Sequence, residues 1–152
     1  MRNVEILAPV GKMSMLYAGL SAGACSFYLA LDDFGARAYA KNFSLENIEE
    51  VIDYVHLFDK KVFITINTLI KDEEIDKAIF YIEKLFEYGA DAILIQDIGL
   101  YSLVKDINEN AKHKLEFHAS TQMAIKDYDG AITAKKLGFD RVVVARETEI
   151  DE

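Results

Sequence analysis

Leu115-Glu116-Phe117-His118-Ala119-Ser120-Thr121-Gln122 decides how this chain reads, because an alternating strand-like run stops abruptly in a cluster of hydrogen-bonding groups. The pattern recurs along the chain. Pro9-Val10-Gly11 follows Ile6-Leu7-Ala8, Asn67-Thr68 follows Val62 to Ile66, Gln96-Asp97 follows Ile93 to Ile95, and Arg146-Glu147 follows Val142 to Ala145. A sixth run, Cys25 to Leu31, ends at Asp32-Asp33. Polar residues gathered at the C-terminal ends of parallel strands mark where an α/β protein builds its site.

The segments between these runs carry a helical period. Leu45, Ile48, Val51, Ile52, Val55 and Phe58 share one face of a helix that Ser44 is placed to cap, and Ile75, Ile79, Ile82 and Phe86 share a face of another behind Asp72. Shorter helices are expected at residues 12–22, 99–108 and 128–137. Gly23, Gly89 and Gly138 each stand two residues before an apolar run, where glycine relieves a left-handed helix end. The order is therefore strand, helix, strand throughout, with about six parallel strands and five helices in one domain, residues 1–152.

Six strands are two short of a (β/α)8 barrel, whose usual length is about 250 residues. The expected fold is a partial TIM-barrel-like sheet, the N-terminal segment of a longer barrel protein. Its first strand, near residues 4–8, and its sixth, near residues 141–146, would then be open edges that invite self-association. A complete doubly wound sheet competes, but no G-x-G-x-x-G follows the first strand, and Pro9-Val10-Gly11-Lys12 is not a P-loop.

With 152 residues and 51% hydrophobic content, the chain can bury one sizeable core. The net charge of −9 argues against a general grip on nucleic acid, which rests on phosphate neutralisation. Lys60-Lys61, Lys112 with Lys114, and Lys135-Lys136 fall near helix C-termini, where cations complement the helix dipole. No apolar stretch reaches roughly 18 residues, so a soluble, cytoplasmic protein without membrane contact is expected. The single cysteine, Cys25, excludes an internal disulfide and falls short of a thiolate cluster.

Side chains alternate along a strand, so parity sorts each run into two faces. One parity is largely apolar; the other carries Glu5, Tyr28, Thr65 and Asn67, Gln96, Glu116 with His118 and Ser120, and Arg146. In a barrel the second set converges on the axis, and Asn67, Gln96, His118 and Arg146 should meet in one pocket. Glu5 and Arg146 either form a buried ion pair or serve a ligand. His118 is either a catalytic imidazole or a hydrogen-bonded structural residue. Asn67, Gln96 and Gln122 either bind substrate or satisfy loop backbone. Asp32, Asp33, Asp97 and Glu147 are strand-end carboxylates suited to acid–base work. There is no H-E-x-x-H and no G-x-S-x-G, Cys25 lies at the end of its strand away from the site, and no metal site is expected.

These same segments resemble the collagenase-like U-thirty-two family, peptidases of unassigned catalytic type. Glu5-Ile6-Leu7-Ala8-Pro9-Val10-Gly11 is similar to the family's E-L-L-A-P-A-G opening, and residues 34–43 to its F-x-x-R-x-x-A-x-N-F segment. Residues 62–67, Gln96-Asp97-x-Gly99, His118-x-Ser120-Thr121-Gln122 and residues 141–147 follow in the family's order. One departure is Cys25, where the family usually has aspartate.

The resemblance implies the N-terminal barrel portion of a peptidase, or alternatively of an RNA-modification protein of anaerobic hydroxylation, or a non-catalytic binding module. The family also includes proteins of oxygen-independent ubiquinone hydroxylation. Under the first reading His118 and Glu147 are catalytic, and Glu5, Arg37, Asn67, Gln96, Asp97, Ser120, Gln122 and Arg146 bind substrate. Under the second, Arg37, Lys41, Lys71 and Arg146 touch phosphates. The partner is a peptide or an RNA. No cofactor is expected in this segment, because the family's cysteine-bearing signature and any iron–sulfur cluster would lie beyond Glu152.

Overall fold

The computed structural model describes residues 4–36, 42–111 and 113–149. The apolar runs form the strands β1 (Leu7–Val10), β2 (Ser26–Ala30), β3 (Lys61–Ile66), β4 (Ala92–Ile95), β5 (Glu116–Ala119) and β6 (Arg141–Val142). Between them lie the helices α1 (Met13–Ser21), α2 (Ile48–His56), α3 (Ile75–Glu87), α4 (Ile98–Asn110) and α5 (Tyr128–Leu137). All five strand pairings are parallel, and the spatial order is β1-β2-β3-β4-β5-β6. A doubly wound sheet reverses its strand order at a switch point. This one never does, and residues from both of its edges line one cavity, so the sheet curls as part of a barrel.

The two faces of the sheet follow parity. Phe27, Leu29, Val62, Ile64, Ile66, Ile93, Ile95, Phe117 and Ala119 enter the main core together with Leu16 of α1, Ile48, Val51, Ile52 and Val55 of α2, Ile82 and Leu85 of α3, and Val104 of α4. Each such fully buried aliphatic or phenyl group is worth about 1.5–3 kcal/mol of transfer free energy. The inner face carries a smaller cluster, Phe63, Ala92 and Leu94, with Tyr28 and Val143 packed against it. A strand covered on both sides reads as a continuous apolar run, and β3, with five of six residues buried, is the clearest case.

Several boundaries depart from the sequence reading. β1 runs through Pro9 instead of covering residues 4–8, because Leu7 to Val10 is the stretch in register with Ser26 to Leu29. An edge strand tolerates a proline, which has no N–H to give to the ladder. β6 is two residues long: Val143 N–H still donates to the Ala119 carbonyl, but Ala145 N–H then donates to Ile125 and Thr121 Oγ1 to the Val144 carbonyl. The chain is thereby drawn across the end of β5, and Arg146 and Glu147 sit in a turn.

Helix caps also differ. Ser44 does not cap α2; its carbonyl accepts from Asn47 and Ile48 in a turn, and Asn47 takes the N-cap position. Asp72 lies inside a 3-10 turn, Asp72–Glu74, ahead of α3. The side-chain caps are instead Asp97, which accepts from Leu100 N–H at 2.9 Å, and Asp127, which accepts from Gly130 N–H at 2.7 Å. No described helix is long and apolar enough to cross a membrane.

Gly23, Gly89 and Gly138 close their helices at φ +84°, +75° and +107°. A Cβ on Gly23 would meet nothing within 4 Å, whereas one on Gly138 would stand 2.7 Å from the Tyr101 hydroxyl. That hydroxyl donates to the Leu137 carbonyl at 3.0 Å. Gly23→Ala should therefore cost about 1–2 kcal/mol, the left-handed penalty alone, and Gly138→Ala clearly more. Urea unfolding of the two variants is the measurement; equal losses would show that the Tyr101 contact is without consequence.

Candidate functional site

The inner face of the sheet is arranged in rows set by strand register. Pro9, Tyr28, Phe63, Ala92 and Glu116 stand side by side, and so do Ala30, Thr65, Leu94, His118 and Arg141. Asn67, Gln96 and Ser120 follow two residues later, at the C-terminal ends of β3, β4 and β5. Above them opens a cavity of about 630 Å³, within the usual range for a small-ligand cleft.

Leu94, Val143, Ala30, Leu7, Pro9 and Met15 supply its apolar wall. Polar groups come from Lys12, Tyr28, Asn42, Thr65, Asn67, Ser120, Thr121, Gln122 and Arg146. Lys12 enters after β1 and Arg146 after β6, so the two cations stand on opposite edges of the curled sheet. No carboxylate lines the cavity among the described residues, although the chain as a whole carries a net charge of −9. The side chains of Lys12, Gln122 and Arg146 make no hydrogen bond or ion pair with any described residue.

Asn67 organises the floor. Its Oδ1 accepts from Ala36 N–H at 3.0 Å, its Nδ2 donates to Ser120 Oγ at 3.4 Å, and its backbone N–H donates to the Phe34 carbonyl at 3.0 Å. The loop after β2 is thus tied to β3 and β5. Phe34 holds φ +63°, a conformation unfavourable for a bulky residue. Asp33 anchors it, accepting from Tyr81 Oη at 2.7 Å and Lys77 Nζ at 2.9 Å, while the Phe34 ring meets Tyr81 edge-on. The Tyr81 and Lys77 bonds hold the Asp33 carboxyl below its ordinary value, and burial beside that carboxylate pushes Tyr81 up to about 12.

Of the residues expected from sequence, Asn67, Ser120, Gln122 and Arg146 come together in the cavity. Gln96 sits at the neighbouring strand end without lining it. His118 lies one row beneath, 1% exposed, on the inner face as parity requires. Asp97 is committed to capping α4 and to the Ile70 N–H at 3.2 Å. Glu5 and Arg146 are both exposed and form no ion pair with each other, so the buried pair considered from sequence does not exist. Glu147 is exposed in the turn after β6. Arg37 and Lys41 fall outside the described residues. Sequence reasoning passed over Lys12, although the strand-end signal at Pro9-Val10-Gly11 stood directly before it.

His118 faces Phe63 edge-on at 4.9 Å and bonds Glu116 through Nε2 at 2.9 Å. A carboxylate only accepts, so Nε2 carries the proton. Burial pushes the imidazole below its ordinary value, against the pull of the Glu116 bond, and the bond from His118 holds Glu116 low. Among the described residues no three His, Cys, Asp or Glu side chains gather as metal ligands. An iron–sulfur cluster needs several thiolates, and Cys25, just before β2 at the far end of the sheet, does not meet that need.

The neutral His118 ring is the form the fold prefers, so the unfolded chain binds a proton that the folded chain resists once the pH falls below the ordinary 6.5. That stability is fully present above 6.5 and is lost on acidification from there. Glu116 adds a further loss below 4.5. The urea midpoint should drop between about pH 7.5 and 5.5, and His118→Gln, which still donates to Glu116, should remove much of that slope. An unchanged slope in the variant would assign the drop to other groups.

With this geometry in view, the comparisons with known proteins are specific. The family model described as Peptidase family U32 matches residues 11–152. The chain is 34% identical over 150 residues to the 23S rRNA 5-hydroxycytidine C2501 synthase of Escherichia coli, covering 99% of the chain and 22% of that protein. It is 34% identical over 153 residues to a tRNA hydroxylation protein P of Helicobacter pylori, covering 100% and 35%. It is 30% identical over 151 residues to a collagenase of Porphyromonas gingivalis, covering 99% and 35%. No solved structure matches significantly. The chain thus spans well under half the length of these relatives, and by the match along nearly all of its own length it belongs to peptidase family U32.

Proposed function

We propose that this chain is the substrate-holding part of an RNA-modification barrel and that the cavity receives RNA, in line with the relatives named for rRNA and tRNA hydroxylation. One observation carries the reading: an acidic chain presents a cavity that holds Lys12 and Arg146 and no carboxylate among the described residues. Phosphate neutralisation by Lys and Arg is the main sequence-independent source of nucleic-acid affinity. Asn67, Ser120, Gln122 and Arg146 bind substrate in this reading. His118 and Glu116 stabilise the barrel interior below it. Work on RNA would place the protein in the cytoplasm.

The peptidase reading draws on the collagenase relative. Hydrolysis needs an activated nucleophile or a carboxylate pair within hydrogen-bond reach of the substrate. Ser120 Oγ accepts from Gln122 N–H at 3.2 Å and from Asn67, and the Nε2 proton of His118 is spent on Glu116. The cavity therefore supports binding better than peptide cleavage.

Loss of the gene in its own host should remove a hydroxylated nucleoside from digested tRNA or rRNA, read by mass spectrometry, and Asn67→Ala should reproduce much of the loss. An intact nucleoside profile, together with turnover of a collagen peptide by the purified protein, would favour the peptidase. The open edges generate a second expectation. β1 and β6 have one partner each, and Val4, Ile6 and Val144 beside them are 89%, 59% and 51% exposed. Residues 1–152 should self-associate in light scattering; a monomer near 17.2 kDa would refute edge pairing.

A further inference from the structure

Resting on the RNA reading of the cavity, we infer that Lys12 and Arg146 straddle a single unstacked nucleotide of single-stranded RNA, each holding one of its two flanking phosphates. The placement carries the argument. Lys12 follows β1 and Arg146 follows β6, the opposite edges of the sheet, while the other polar groups of the lining, Thr65, Asn67, Ser120 and Gln122 among them, are neutral hydroxyls and amides. A strand of RNA has the same layout: anionic groups on either side of a neutral base and ribose that read by hydrogen bonds and apolar contact.

The interior between the cations suits a base. Leu94, Val143 and Ala30 offer apolar surface, and Tyr28 lies in the wall. The Gln122 side chain, exposed and bonded to no described residue, supplies an amide donor and acceptor for a base edge. Asn67 and Ser120 are held in place by their bonds to Ala36 and Gln122 backbone, so the floor is set before the ligand arrives. The cavity, about 630 Å³, is a pocket within the curled sheet, and a paired base inside a duplex cannot enter it. Enzymes that act on a base draw it out of the stack, at a cost of a few kcal/mol that is least for unpaired positions. Duplex RNA meets only the rim.

Both cations are exposed, so their removal leaves folding intact. The test measures the affinity of the protein for a single-stranded RNA hexanucleotide by fluorescence anisotropy across a range of salt. For single strands log K falls with log salt by about 0.7 for each phosphate neutralised. Lys12→Ala and Arg146→Ala should each reduce the slope by about 0.7, the double variant by about 1.4, while Lys12→Arg and Arg146→Lys keep it. The same sequence as a duplex should bind more weakly and be less sensitive to both substitutions. Single-strand binding whose slope ignores the two alanine variants would overturn this inference and leave the RNA reading standing. Equal binding of duplex with equal sensitivity would overturn the unstacked nucleotide. No RNA binding at all would overturn both.

Discussion

Every strand of this sheet must bury one face against helices, and that requirement governs what the other face can be. Once Leu29, Ile64, Ile93 and Phe117 are committed to the helical side, the alternating residues have nowhere to point except the concave interior. Parallel register then lines them up: Tyr28 beside Phe63 beside Ala92, Thr65 beside Leu94 beside His118. A slip of one residue would exchange the two faces and put polar groups under the helices, so the burial that stabilises the fold also fixes the site's composition.

The interior is graded along the strands. Its lower rows are apolar and charged groups that satisfy one another: Phe63 fully buried, His118 on Glu116, and the Arg141 guanidinium 5.6 Å over the Phe63 ring. The upper row is amide and hydroxyl, opening on the cavity. This division explains why the most suggestive side chain in the sequence, His118, is not in the cavity wall. It sits two residues before Ser120, which in a strand means the same face but about one row deeper. There burial favours the neutral ring, and Glu116 accepts the hydrogen bond from its Nε2–H.

Asn67 shows how a strand end becomes a junction. One carboxamide joins the loop after β2, through Ala36, to the turn after β5, through Ser120. The strained Phe34 backbone is held from the other side by Asp33 with Tyr81 and Lys77 of α3. Strain persists where the surroundings over-determine it, and here the loop that carries it forms part of the cavity rim.

Much was legible in the sequence. The repeated change from period two to helical period, the glycines at Gly23, Gly89 and Gly138, and the polar groups at strand ends gave element order, parallel pairing and the faces, because each rests on local geometry and on the burial of alternate residues. Local signals could not decide where strands end or which caps are used. β6 stops early because Ile125 and Thr121 compete for its backbone groups, and Ser44 loses the cap because its segment closes a turn first. Nor could they decide which polar residues share a cavity. Lys12 and Arg146 lie far apart in the chain and line one cavity only because six parallel strands curl, and no carboxylate joins them there among the described residues. The sequence by itself determined the faces; the tertiary structure alone decided depth and proximity, since these depend on register and on long-range hydrogen bonds that no local pattern encodes.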